Sequence, residues 1–83
     1  VNITANGTTT PQAVTAGSYQ VSVRGNVEGQ LVLEQDLGDG YDSIMTFNRP
    51  DEQVLTLAAS NVRWNLKNSA GNANIDARIE TVG

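Results

Sequence analysis

The chain has 83 residues, 39% hydrophobic and 17% charged, which bounds it to one small domain able to bury only about 60–65% of its unfolded surface. It holds no cysteine and no histidine, which removes disulfides, thiolate metal sites and the commonest general base. The net charge is −4, with Arg24, Arg49, Arg63, Lys67 and Arg78 scattered singly, and no apolar run approaches the ~20 residues that cross a bilayer, so neither nucleic acid nor membrane is an expected partner.

In chain order, residues 1–17 stand apart as a Thr- and Ala-rich, nearly uncharged stretch carrying Pro11. They predict an N-terminal arm or edge strand, with a weak strand near residues 2–4, followed by a β-sandwich domain over residues 18–83. Asn2-Ile3-Thr4 and Asn6-Gly7-Thr8 match the glycosylation triplet, although such triplets arise often by chance in Thr-rich sequence. Tyr19, Val21 and Val23 then alternate with Gln20, Ser22 and Arg24, the period of a half-buried strand. Residues 31–33, 43–47 and 54–57 are more continuously apolar: Val32, Met45 and Val54 accompany Leu33, Ile44 and Leu55, as in strands with a core on one side and a partner on the other. Residues 51–60 follow Pro50 with two acids, as a helix start would, but Val54, Thr56 and Leu57 favour a strand. Alternation returns at Val62, Trp64 and Leu66, and again at Ile75, Ala77 and Ile79. Glycines and Asn/Ser/Pro pairs punctuate these runs at the spacing of a small all-β domain. The expectation is a single antiparallel β-sandwich, Ig-like or jelly-roll-like, of about seven strands with an extended N-terminal arm.

The run Glu34–Asp42 gathers Glu34, Asp36, Asp39 and Asp42 around two glycines. A calcium loop needs acids at alternate positions and a distal bidentate Glu. Here Asp36, Asp39 and Asp42 lie three apart with no such Glu, so they form the one candidate calcium site without its full pattern. Asp39-Gly40 reads instead as a type I′ hairpin turn, and no metal or other cofactor is expected. Catalysis is not expected either. Asp51 and Glu52 are adjacent and point apart if extended, and the serines have no histidine to activate them. Trp64 and Tyr19 fit the inward register of their strands, leaving Tyr41 as the candidate exposed ring for glycan contact.

The order of these features has a likeness. Gly17 and Tyr19 open a strand, Gly25 and Gly29 mark a hairpin, and Leu31 and Leu33 lie on the strand that follows. Asp39-Gly40, Phe47, Arg63-Trp64 and the stretch from Gly71 to Ile79 complete the pattern, over roughly residues 16–80. It resembles small bacteriophage virion β-sandwich proteins of the capsid decoration, or cement, type. The departure is at the turn, where the family pattern of Asp-Gly-Gly followed by Thr and Trp is replaced by Gly-Asp-Gly-Tyr.

The resemblance implies a structural protein of the virion, assembled in the bacterial cytoplasm and placed on the capsid surface. Its expected partners are copies of itself, as a homotrimer, and the major capsid protein. A host-glycan-binding module of a head or tail fibre is the alternative. A thin core also favours oligomerisation as the stabilising device. On this reading Val1, Ile3, Thr8, Pro11, Val14, Val32 and Met45 are the candidate interface residues.

Overall fold

The computed structural model describes residues 1–82, which form nine strands and no helix. Three short strands, β1 (Asn2–Ile3), β2 (Gly7–Thr8) and β3 (Gln12–Val14), come from the N-terminal stretch. Six longer ones follow: β4 (Gly17–Asn26), β5 (Gln30–Asp36), β6 (Tyr41–Phe47), β7 (Asp51–Leu57), β8 (Ser60–Lys67) and β9 (Asn74–Thr81). The acids after Pro50 start a strand and not a helix, since β7 pairs residue for residue with β4 from Val23↔Asp51 to Gly17↔Leu57.

All pairings are antiparallel and form two sheets. The first runs in the order β1-β9-β4-β7, and the second β2-β8-β5-β6 with β3 also on β8. Apart from the β5–β6 hairpin, each link between consecutive long strands passes from one sheet to the other. The result is a sandwich that cannot be divided into sequential halves, with extents of 34 × 29 × 16 Å. The short dimension matches two layers spaced about 10 Å apart with their outward side chains.

The alternation sets what lies between the layers. Tyr19, Val21, Val23, Ile75 and Ala77 face inward from the first sheet, and Leu31, Leu33, Val62, Trp64 and Leu66 from the second. The Trp64 and Phe47 rings are tilted against each other, with centroids 6.0 Å apart. Among the described residues every buried side-chain nitrogen or oxygen has a hydrogen-bond partner. The Tyr19 hydroxyl donates to the Thr15 carbonyl at 2.7 Å, fixing the corner where the chain leaves β3 for β4.

The N-terminal stretch, expected as an arm or edge strand, is built into both sheets. β1 lies on β9 through Asn2↔Asp76 and Ile3↔Ile75. The chain then crosses to β8, where β2 and β3 pair in succession. Between them Thr9 clamps Trp64, its amide donating to the Trp64 carbonyl at 2.9 Å and its hydroxyl accepting from the Trp64 amide at 3.0 Å. β1 falls where the weak strand near residues 2–4 is expected, and β2 and β3 are additional to the seven expected strands.

The acidic hairpin departs from the expected type I′ turn. Residues 37–40 form a four-residue loop in which Gly38 and Gly40, but not Asp39, take positive φ. The cause is Asp36, whose Oδ1 accepts the amides of Gly38 at 2.7 Å and Gly40 at 3.2 Å. That local capture competes with a two-residue turn. At the opposite end of β5, Gly29 has φ +95°, and a Cβ there would run into the Lys67 carbonyl and lie 2.9 Å from the Ser69 amide.

Candidate functional site

The sandwich has two flanks. On one, β9 and β8 would be the outermost long strands, and the N-terminal stretch covers β8 along most of its length and β9 from Ile75 to Ala77. The Val1 ammonium donates to the Ala77 carbonyl at 2.7 Å, and the Ala77 amide returns a bond to Val1 at 2.9 Å. Asn6 ties the same stretch to the β8–β9 loop, its Nδ2 donating to the Ser69 carbonyl at 3.0 Å and its Oδ1 accepting the Ser69 amide at 2.9 Å. A shallow cleft of about 350 Å³ remains between the layers there, bounded by Val1, Thr10, Gln12, Trp64 and Ile79.

On the other flank, β7 ends the first sheet and β6 ends the second, joined by residues 48–50. Neither has a neighbour on its outer edge among the described residues. The two edges differ. β6 is irregular, with a register shift opposite Leu33/Glu34 that sets Leu33↔Met45 next to Glu34↔Ser43, and such a bulge twists an edge away from new partners. β7 is regular over its whole length and holds no Pro, Lys or Arg. At its middle Val54 is 64% exposed, the most exposed of the large hydrophobic side chains.

The outer faces are polar, and their charges are mostly spent within the chain. On the first sheet Arg24 pairs with Glu52, and Arg78 with Asp76 at 3.1 Å, which lifts the Arg78 guanidinium further above its usual value. Asp51 is turned back on its own strand, accepting from the Glu52 amide at 2.8 Å and Gln53 Nε2 at 3.0 Å, and these bonds lower its carboxyl. On the second sheet Glu34 is 8% exposed yet outward-facing. Arg63 Nε donates to it at 2.8 Å and Asn65 Nδ2 at 3.3 Å. Burial pushes the Glu34 carboxyl up, but these bonds and the nearby Arg63 and Lys67 charges outweigh it and hold the group below its ordinary value. The Arg63 guanidinium also lies 3.7 Å from the centroid of the Tyr41 ring, so one face of that ring is taken.

Of the sequence-derived candidates, Asp36 is committed to the loop amides, and among the described residues no three acids converge as a metal cage would require. Ile3, Val14 and Val32 are buried within the chain itself, Met45 is half-buried, and Val1, Thr8 and Pro11 are exposed. The intramolecular sheets therefore account for the burial of the first three. Asn2 is held by Asn74 and Ile75, and Asn6 by Ser69.

Glu28 carries almost no signal of its role in the sequence. Its Oε1 accepts the amides of Asn72 at 3.1 Å and Ala70 at 2.6 Å and the Ser69 hydroxyl at 2.9 Å, so it organises the β8–β9 loop from 41 or more residues away. The Asn72 backbone bond leads in lowering its carboxyl. The only cue is a Glu beside a turn glycine, which many turns share. Comparison with protein-family models, with curated proteins and with solved structures gives no match to this chain. Its class therefore rests on its own architecture, a small antiparallel β-sandwich of two sheets.

Proposed function

We propose that the chain is a structural virion protein of the capsid decoration type, working through surface contacts with copies of itself and with a shell. The observation that carries this reading is the asymmetry of the flanks. The chain's own N-terminus pairs along β8 and over the first part of β9, while the β6 and β7 edges have no strand beside them among the described residues. Open strand edges are templates for assembly, and proteins that remain single normally blunt them. The likeness to phage decoration proteins supplies the setting, and the shell's major protein is the partner that follows from it.

The glycan-binding alternative calls for an open aromatic platform. Trp64 and Tyr19 lie in the core, and Tyr41 has Arg63 across one face, which favours the assembly reading. The test is co-sedimentation of the purified chain with capsids of the phage or prophage that encodes it, lacking this protein. Saturable binding at fixed stoichiometry is expected. Absence of binding, together with a melting shift on adding soluble host glycans, overturns the assembly reading in favour of the alternative.

A further inference from the structure

We infer that β7 is the self-association edge: two copies join by antiparallel β7–β7 pairing about a two-fold axis centred on Val54. This deepens the assembly reading and rests on it. In that register Val54 meets Val54 of the second copy, Gln53 lies opposite Leu55, Glu52 opposite Thr56, and Asp51 opposite Leu57. All seven residues of the strand are then paired and no acid faces an acid. A shift that centres on Glu52 sets two carboxylates directly opposite, which destabilises a strand pair.

Three observations favour a second copy as the occupant. The edge is self-complementary, with acids at one end and uncharged Thr56 and Leu57 at the other, as a two-fold contact requires. Glu52 is already paired with Arg24, and the Asp51 carboxylate, held by the Glu52 amide and Gln53, falls opposite uncharged Leu57 and not opposite another acid. The most exposed large apolar side chain sits at the centre of symmetry, where pairing covers it twice. β6 lies on the same flank, but its bulge leaves β7 as the pairing edge. This pairing is isologous, whereas the trimer implied by family resemblance is a ring of heterologous contacts.

The absence of cysteine allows the register to be read directly. In an antiparallel pair the directly opposite Cα atoms lie about 4.5 or 5.5 Å apart, both within the span of a disulfide. Val54→Cys should therefore cross-link into a dimer under mild oxidation. Thr56→Cys, whose copy lies about 13 Å away along the strand, should not. Light scattering of the unmodified chain should give twice the single-chain mass. Val54→Lys, which sets two ammonium groups opposite each other, should give the single-chain mass with an unchanged circular dichroism spectrum.

A trimer that Val54→Lys leaves intact, or cross-linking of Thr56→Cys as efficient as that of Val54→Cys, overturns the β7 pairing. A chain that stays monomeric but still saturates capsids overturns the pairing and leaves the assembly reading standing. A monomer that also ignores capsids overturns both.

Discussion

The two flanks of the sandwich use different means to solve one problem, the unpaired edge. At β8 and β9 the chain spends its first 14 residues on a cover made of three strands of two or three residues each. At β6 and β7 it spends only a bulge on β6 and the Asp51 side chain on the Glu52 amide. Because the cover contributes Ile3 and Val14 to the core, the closed flank is part of the folding unit. The open flank also sends Phe47 and Leu57 into the core, beside half-buried Ile44, Met45 and Leu55, but none of its own chain lies over its outer edges. Closing an edge with its own chain thus ties that edge to stability, while leaving one open frees it for contact.

The comparison can be broken by substitutions whose cost should fall from the closed flank to the open one. Trp64→Ala removes a 4%-exposed ring packed on Phe47 and should cost about 3–5 kcal/mol, a large part of the stability of a domain this small. Urea unfolding would show it, and a near-neutral result would move the ring out of the core. Ile3→Ala should cost about 2–3 kcal/mol in the same titration. A negligible cost there would mean that the N-terminal cover is not part of the folding unit. Gly29→Ala combines a positive φ with a collision at Lys67 and should cost about 2 kcal/mol.

Glu34→Gln loses charge-assisted bonds from Arg63 and Asn65 and should cost about 1–2 kcal/mol at neutral pH. Since folding lowers the Glu34 carboxyl from an ordinary value of 4.5, its stabilising effect is complete above that pH and lost as pH falls through the lower folded value. The melting gap between the parent chain and Glu34→Gln should therefore hold steady from neutral pH to about 5 and close in stronger acid. A gap that widens on acidification would reverse the assignment. Smallest of all, Val54→Thr should shift monomer stability by no more than about 0.5 kcal/mol, measured at high dilution.

The long strands were legible because their cores are written as alternation: each of β4, β8 and β9 places its buried residues two apart. Of the N-terminal strands only β1 was legible, as the weak strand near residues 2–4; Gly7, Thr8 and Gln12 carry no apolar period, and β2 and β3 gain their structure from β8 far along the chain. The buried positions of Val32 and Glu34 were equally hidden, because both lie on the outer face and Glu34 depends on Arg63 and Asn65, 29 and 31 residues away. At the acidic hairpin Asp39-Gly40 is the stronger local signal and favours a two-residue turn, but a carboxylate three residues upstream, Asp36, decides the geometry. In the candidate site, Val54 was marked as apolar beside Leu55, but only the sheet order placed it on an open edge.

The bonds between Val1 and Ala77 join residues 76 positions apart, so the first sheet closes only when two very distant segments meet. Closure over such a separation is costly in chain entropy and slows folding. Until β9 docks, Trp64 and its neighbours lie bare, so a slow search, rather than a weak native state, is the condition most apt to make the chain clump.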